Sequence, residues 1–398
     1  MEYRDFLKNI VVVLFIVASG SQLFYKELGF LFIPLFFMFS SLLFYRERNL
    51  LVDKWNWWVM LYFVLWNLLN NYVLHGHVGT NLVLSMVLCA IASFGAVSSF
   101  EFGEFRAMML KYMVYISAVS IVVQLWHDIF GISIGKESED TFLSLYVFNT
   151  DWGENRLASI FWEPGMYQIV LFFVLCLYTD ELKDISNWKS ILKKFGILFI
   201  ALVYTKSTMA YLCLFALLGY IIMQNNKGQR KIIMMPFYAI ILVGAALLLW
   251  KSDAIQSKLM QRDSEAETTS YYIRLNDNLS LLTMTLERPF VGYGIDTPEY
   301  EQRNKSLDNL SASNGWLFAS ATNGLVYLVL ILVLLFKGIK RLPNCISPWV
   351  IFFVLIITQC NEYMICMPYL FMYILRFKDS EDYEVYDSDS DIQCVSSC

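Results

Sequence analysis

Histidine is nearly absent from this 398-residue chain: His75, His77 and His127 are all it has. There is no HExxH pair, and His75 with His77 lacks a third ligand, so no metal is expected. CxxC pairs, P-loops and GxGxxG turns are missing as well, so no cofactor is expected. Charge is scarce. Only 16% of residues are charged and 57% are hydrophobic, whereas soluble domains carry about 25% charged residues. That excludes a soluble globular enzyme, and no nucleic-acid partner is expected. The net charge of −5 says little about partners, because it is divided among loops on two sides. Eight cysteines are present, but Cys89, Cys176 and Cys213 lie in apolar runs, where cysteine behaves as a small hydrophobe. Neither long polar loop contains one, which excludes a disulfide framework.

What the chain has in abundance is long apolar runs. They cover roughly 6–24, 28–45, 55–74, 80–100, 106–128, 164–179, 191–205, 207–223, 232–250 and 315–336. The first lacks an A-x-A cleavage site and reads as a retained helix. A last stretch, about 347–375, is too long for one span of about 20 residues. Gln359, Asn361 and Glu362 interrupt it, so it divides into two short helices. The expected fold is all-α, a polytopic membrane protein with about twelve spans, surrounded by the lipid bilayer.

Lysine and arginine orient such a chain. Arg46, Arg48 and Lys54, then Arg106, Lys193, Lys231, Arg341 and Arg376, fall on one face for twelve spans, and both termini lie on that cytoplasmic face. Residues 1–250 form a membrane domain that includes an outer loop at about 129–162. Residues 251–314 form a larger outer loop, 315–377 the last membrane helices, and 378–398 an acidic, serine-rich tail that reads as disordered. Trp55, Trp57 and Trp58 fit an inner aromatic belt.

Two loop motifs carry chemistry. Residues 156–168 read RLASIFWEPGMYQ. Arg156 is the only arginine of its loop. Glu163 precedes Pro164 at the start of a span, where it either caps the helix or serves as an acid or base beside a bound anion. Residues 274–297 read RLNDNLSLLTMTLERPFVGYGIDT. Leu275, Leu279, Leu282 and Leu286 share one helical face, Pro289 ends the helix, and Gly292 and Gly294 form a turn. An amphipathic helix at a membrane surface, with Arg274 on its first turn, suits an anionic headgroup; equally, it can simply cover the membrane domain. Asp296 after the GYG turn is a turn-former or a base, with Asp277 a further candidate. Lys206 interrupts apolar sequence at an outer turn, as a phosphate contact or a snorkelling lysine.

RLASIFWEPG resembles the R-L-x-G-x-F-x-E-P-G stretch of O-antigen polymerases of the Wzy type. IRLNDNLSLLTMTLERPFVGYGIDT resembles the R…P-x-x-G-x-G segment of the large outer loop in the O-antigen ligase and polymerase superfamily. SASNGWLFASATNGLVYLVLIL, residues 311–332, resembles the segment where that loop re-enters the membrane. The resemblance implies a GT-C-like glycosyltransferase of the bacterial inner membrane. Its donor and acceptor are undecaprenyl-diphosphate-linked glycans, joined on the periplasmic side during lipopolysaccharide biosynthesis, with a chain-length regulator protein as a partner. By the family pattern, Arg156 and Arg274 bind the donor diphosphate. Ligases place a histidine where this chain has Ser313, before Asn314, which argues for a polymerase over a ligase. A flippase or other transporter is the rival class. Repeated halves and midplane charges would mark one, and the chain shows no internal repeat.

Overall fold

The computed structural model describes residues 2–21, 29–47, 53–76, 81–130, 156–183, 187–225, 270–307, 313–342, 347–360 and 368–378. Among these residues the fold is entirely helical, with one isolated antiparallel bridge between Ser21 and Phe161. The helices are α1 (Glu2–Ala18), α2 (Gly29–Glu47), α3 (Lys54–Leu68), α4 (Asn81–Ser99), α5 (Phe102–Phe130), α6 (Pro164–Cys176), α7 (Thr179–Leu182), α8 (Trp188–Tyr204), α9 (Thr208–Asn225), α10 (Ser270–Glu287), α11 (Pro298–Ser306), α12 (Gly315–Asn323), α13 (Leu325–Lys340), α14 (Pro348–Gln359) and α15 (Pro368–Ile374). A π turn, Leu69–Leu74, continues α3. Leu82–Ser99 and Phe102–Phe130 are long and apolar enough to cross a membrane, and α6, α9 and α14 are shorter apolar helices. The apolar run at 232–250, the tail, His77 and Glu362 lie outside the described residues, so a count of twelve spans is neither reached nor refuted.

Helix α6 is buried along its whole length and is the centre of the bundle. A lipid-facing helix keeps one face outward; one that is apolar all round and wholly buried is the core. Tyr373 donates from its hydroxyl to the carbonyl of Phe173 at 2.5 Å, joining α15 to α6. Phe173 also packs edge-on against Tyr369, with centroids 4.2 Å apart.

Ion pairs gather at one end of the bundle. Arg4 pairs with Glu47 at 2.5 Å, Arg106 with Asp180 at 2.9 Å and Lys194 with Glu181 at 2.6 Å. Lys8 pairs with Glu104 and Arg376 with Asp53. Trp55 belongs to this end and is more than a belt residue. Its indole N–H donates to Ile374 O at 2.9 Å, and the Arg341 guanidinium lies 4.2 Å from its ring centroid. These are the helix ends that the positive-charge pattern assigned to a common face, and the structure does bring them together.

The run 315–336, expected as one span, is broken. Gly324, with φ +87°, separates α12 from α13. That left-handed backbone is open to glycine and closed to most residues. The break leaves α12 as a short helix lying against α10. The split expected in 347–375 is present, as α14 and α15.

Candidate functional site

Two groups of polar side chains stand at the end of the bundle opposite the ion pairs of Arg4, Lys8, Arg106, Lys194 and Arg376. The first forms where α8 ends. A helix leaves its last carbonyls without partners. Here residues 156–157 supply donors: Leu157 N–H reaches Tyr204 O at 3.0 Å, and Arg156 Nε reaches Thr205 O at 3.2 Å. A guanidinium at a helix C-terminus is also favoured by the dipole. Lys206 follows at once with φ +46°, in the three-residue turn between α8 and α9. The structure therefore brings Arg156 and Lys206 to one turn. Tyr211, one turn into α9, lies within electrostatic reach of Arg156, and its hydroxyl donates to Val203 O at 2.7 Å.

The segment that carries Arg156 is firmly held. Leu157, Ala158, Ser159 and Phe161 are buried. Ser159, with φ +61°, puts its hydroxyl 2.6 Å from that of Ser120 on α5. Trp162 N–H reaches Gly20 O at 3.4 Å, beyond the end of α1. Glu163 ends this segment as the N-cap residue of α6, with Pro164 at the first helical position, as the sequence indicated. The capping position is therefore as expected and the dipole favours a carboxylate there, but the carboxylate makes no capping hydrogen bond. Helix α6 instead begins on the backbone alone, with Tyr167 N–H bonded to Glu163 O at 3.2 Å. The side chain is half-buried.

The second group is built on α10 and the turn after it. Leu275, Leu279, Leu282 and Leu286 do share a face, but it is the exposed one; Phe290 beyond them is 71% exposed. The buried face carries Leu281 and Met284 with Asp277, Ser280 and Thr285. Arg274 stands exposed on α10, one turn before Asp277. Asp277 and Asp296 both act on Tyr300 of α11, whose hydroxyl is pushed well above its usual range, mainly by burial and then by these two carboxylates. Asp296 has φ +51°, a strained backbone for a residue other than glycine.

The Pro289–Asp296 turn is stitched to its surroundings. Tyr293 and Gly294 donate to Ala321 O and Thr322 O of α12 at 2.9 and 2.8 Å, and Leu325 N–H reaches Pro289 O at 2.6 Å. Gly292 has φ +65° and Gly294 φ +76°. A Cβ on Gly292 would run into the Thr322 backbone, and one on Gly324 into the backbone of Phe290. Thr297 caps α11 by accepting from Tyr300 N–H at 3.0 Å. Arg288 pairs with Glu299 at 2.5 Å. Arg303 forms two hydrogen bonds to Glu287, which also accepts from the Tyr293 hydroxyl at 2.6 Å. Those donors hold the Glu287 carboxyl below its usual range. His75, at the end of the π turn, has its pKa lowered, chiefly by burial.

Arg156 and Lys206 thus meet, and Asp277 and Asp296 meet around Tyr300, while Arg274 sits on the outer side of the same helix as Asp277. Sequence reasoning missed α11 and the asparagines of the π turn. The only signal for α11 was Thr297 before Pro298, an N-cap followed by proline at the first helical position.

A bundle of apolar helices with polar groups gathered at one end defines a helical membrane protein. Within it, residues 195–332 match the model of the O-antigen ligase family, which is consistent with the O-antigen polymerase and ligase superfamily. Members of that family are glycosyltransferase-like membrane enzymes acting on lipid-linked glycans. The matched stretch contains Lys206, Arg274, Asp296 and Asn314; Arg156 and Glu163 precede it. Asn314 is the N-cap of α12, accepting from Trp316 and Leu317 N–H at 3.1 and 3.2 Å. No curated protein and no solved structure matches the chain.

Proposed function

We propose that this chain polymerises undecaprenyl-diphosphate-linked repeat units into O-antigen or a related surface polysaccharide, on the periplasmic side of the inner membrane. The observation that carries this reading is the convergence of Arg156 and Lys206 on one turn at the end of α8. Two cations held at a helix end suit a lipid diphosphate, and a guanidinium pairs with phosphate without ever losing its proton. Arg274 is the third donor contact, supplied by the outer loop. In the reaction a hydroxyl at the non-reducing end of the acceptor attacks the anomeric carbon of the donor. The bond from that carbon to the diphosphate oxygen breaks, and the lipid diphosphate leaves with the electron pair. Arg156, Lys206 and Arg274 stabilise its growing charge. Glu163 accepts the hydroxyl proton; its carboxylate makes no capping hydrogen bond and it starts a rigid, buried helix. Asp296 is the second candidate, favoured by its strained backbone.

The family's description as O-antigen ligase favours a second reading, transfer of finished glycan to a lipid acceptor. Ser313 in place of the ligase histidine speaks against it. Deleting the gene and separating lipopolysaccharide on a gel decides between them. A lost polymerase leaves core carrying one repeat unit. A lost ligase leaves bare core. A normal ladder after deletion overturns both.

A further inference from the structure

The end of α3 is unusually polar for a membrane helix. Asn67, Asn70 and Asn71 are all fully buried, and the last two lie in the π turn, where the backbone bonds lengthen to i+5, as His75 N–H to Asn70 O at 3.2 Å. Such turns shift the register of the side chains that follow and cluster at functional sites. Here one amide meets the outer loop and the other meets α12. Asn71 Oδ1 accepts the N–H of Ile295 at 2.6 Å, while its Nδ2 donates to Asn67 O at 2.8 Å. Asn70 Nδ2 donates to Thr322 O at 3.0 Å and lies 3.2 Å from Asn323 Oδ1. Thr322 O is also the acceptor for Gly294 N–H. Helix α3, the GYG turn and α12 therefore converge within a few bonds, and the next residue after Ile295 is Asp296.

We propose that Asn71, backed by Asn70, is a positioning residue: it clips the turn that carries Asp296 to the membrane body and so fixes the outer-loop half of the site against the Arg156 half. This rests on the reading of the outer end as the reaction site. Asn71 touches no substrate; it acts through the Ile295 peptide. An unclipped turn swings by about an ångström or more, and displacements of that order cost roughly 10²-fold in rate.

The test joins a structural and a kinetic readout. Ile295 is fully buried, so a cysteine at Ile295→Cys is shielded from a membrane-impermeant maleimide. Adding Asn71→Leu should speed its labelling about tenfold over that of Ile295→Cys alone, after subtracting the labelling of the same proteins without the Ile295 change. In membranes with equal protein, Asn71→Leu should lower kcat for lipid-linked repeat units about 10²-fold with KM little changed. Asn71→Asp, protonated at this buried position, keeps an oxygen to accept from Ile295 N–H and an O–H to donate to Asn67 O, and should restore most of both. Unchanged labelling in Asn71→Leu overturns the clip, whatever happens to activity. Faster labelling with unchanged kcat overturns the positioning role. Loss of Asn71→Leu from the membrane, with Asn71→Asp present but no better clipped than Asn71→Ala, also overturns it. Glu163→Gln and Asp296→Asn test the reaction-site reading separately, so either idea can fail alone.

Discussion

At the residue scale, the informative contrast is between Glu163 and Arg156. Both stand in one short motif, and only Glu163 had a structural explanation ready in the sequence. For Arg156 the structure supplies one that the sequence did not show: its Nε closes the end of α8. For Glu163 the expected position is met, at the N-cap of α6, but the side chain makes no capping hydrogen bond. Glu163→Gln should therefore fold normally, still bind lipid-linked donor, and lose about two to four orders of magnitude in rate. Near-normal polymer length in that variant would move the search to Asp296. Arg156→Lys should rescue Arg156→Ala only weakly, since an ammonium lacks the planar fork that both closes the helix and meets a phosphate. None of the asparagine contacts was legible from sequence, because an amide inside an apolar run gives no hint of the distant backbone group it will meet.

At the element scale, the helix in the large outer loop was legible and its orientation was not. The leucine spacing predicted one apolar face, and α10 has it, but tertiary packing buries the face of Asp277, Leu281 and Met284 instead. Periodicity says which residues share a face and is silent on which face meets the body. The break at Gly324 was hidden for a similar reason: hydropathy runs straight through it, while the backbone turns to let Phe290 approach. Gly324→Ala should therefore cost about 1–3 kcal/mol or more, read as a drop in melting temperature or in membrane level. Gly196→Ala, within α8 and open around its Cα, should be neutral or stabilise by up to about 1 kcal/mol. The α11 anchor gives a pH prediction. The folded pKa of Glu287 is depressed by Arg303 and Tyr293. Its contribution is therefore complete above the ordinary carboxylate pKa and fades as pH falls through the lowered one. Proteolysis at α11 should stay constant from neutral pH down to about pH 5 and rise only in stronger acid.

At the scale of the whole molecule, charge placement carried most of the information. Of the residues assigned to an inner face by counting lysines and arginines, Arg106, Lys194, Arg376 and Lys378 form ion pairs at one end of the bundle, and the two motif groups stand at the other end. The count of spans did not follow as securely, because several helices are shorter than a bilayer is thick and one apolar run lies outside the described residues. The sidedness is open to a direct test. Cysteines placed at Asp140 and Glu265 should react with an impermeant maleimide from the periplasm, and cysteines at Asn187 and Val385 should not. Reaction at Val385 would put the C-terminus outside and change the number of spans.

The most direct test of the central claim is reconstitution. The purified chain is placed in lipid nanodiscs with an undecaprenyl-diphosphate-linked repeat unit and no other protein, and the products are resolved on a gel. The proposed function predicts a ladder of lipid-linked oligomers from the wild type and only the single repeat unit from an Arg156→Ala, Lys206→Ala double variant of equal stability. An equal ladder from both, or no ladder from an intact wild-type protein with active donor, would contradict it.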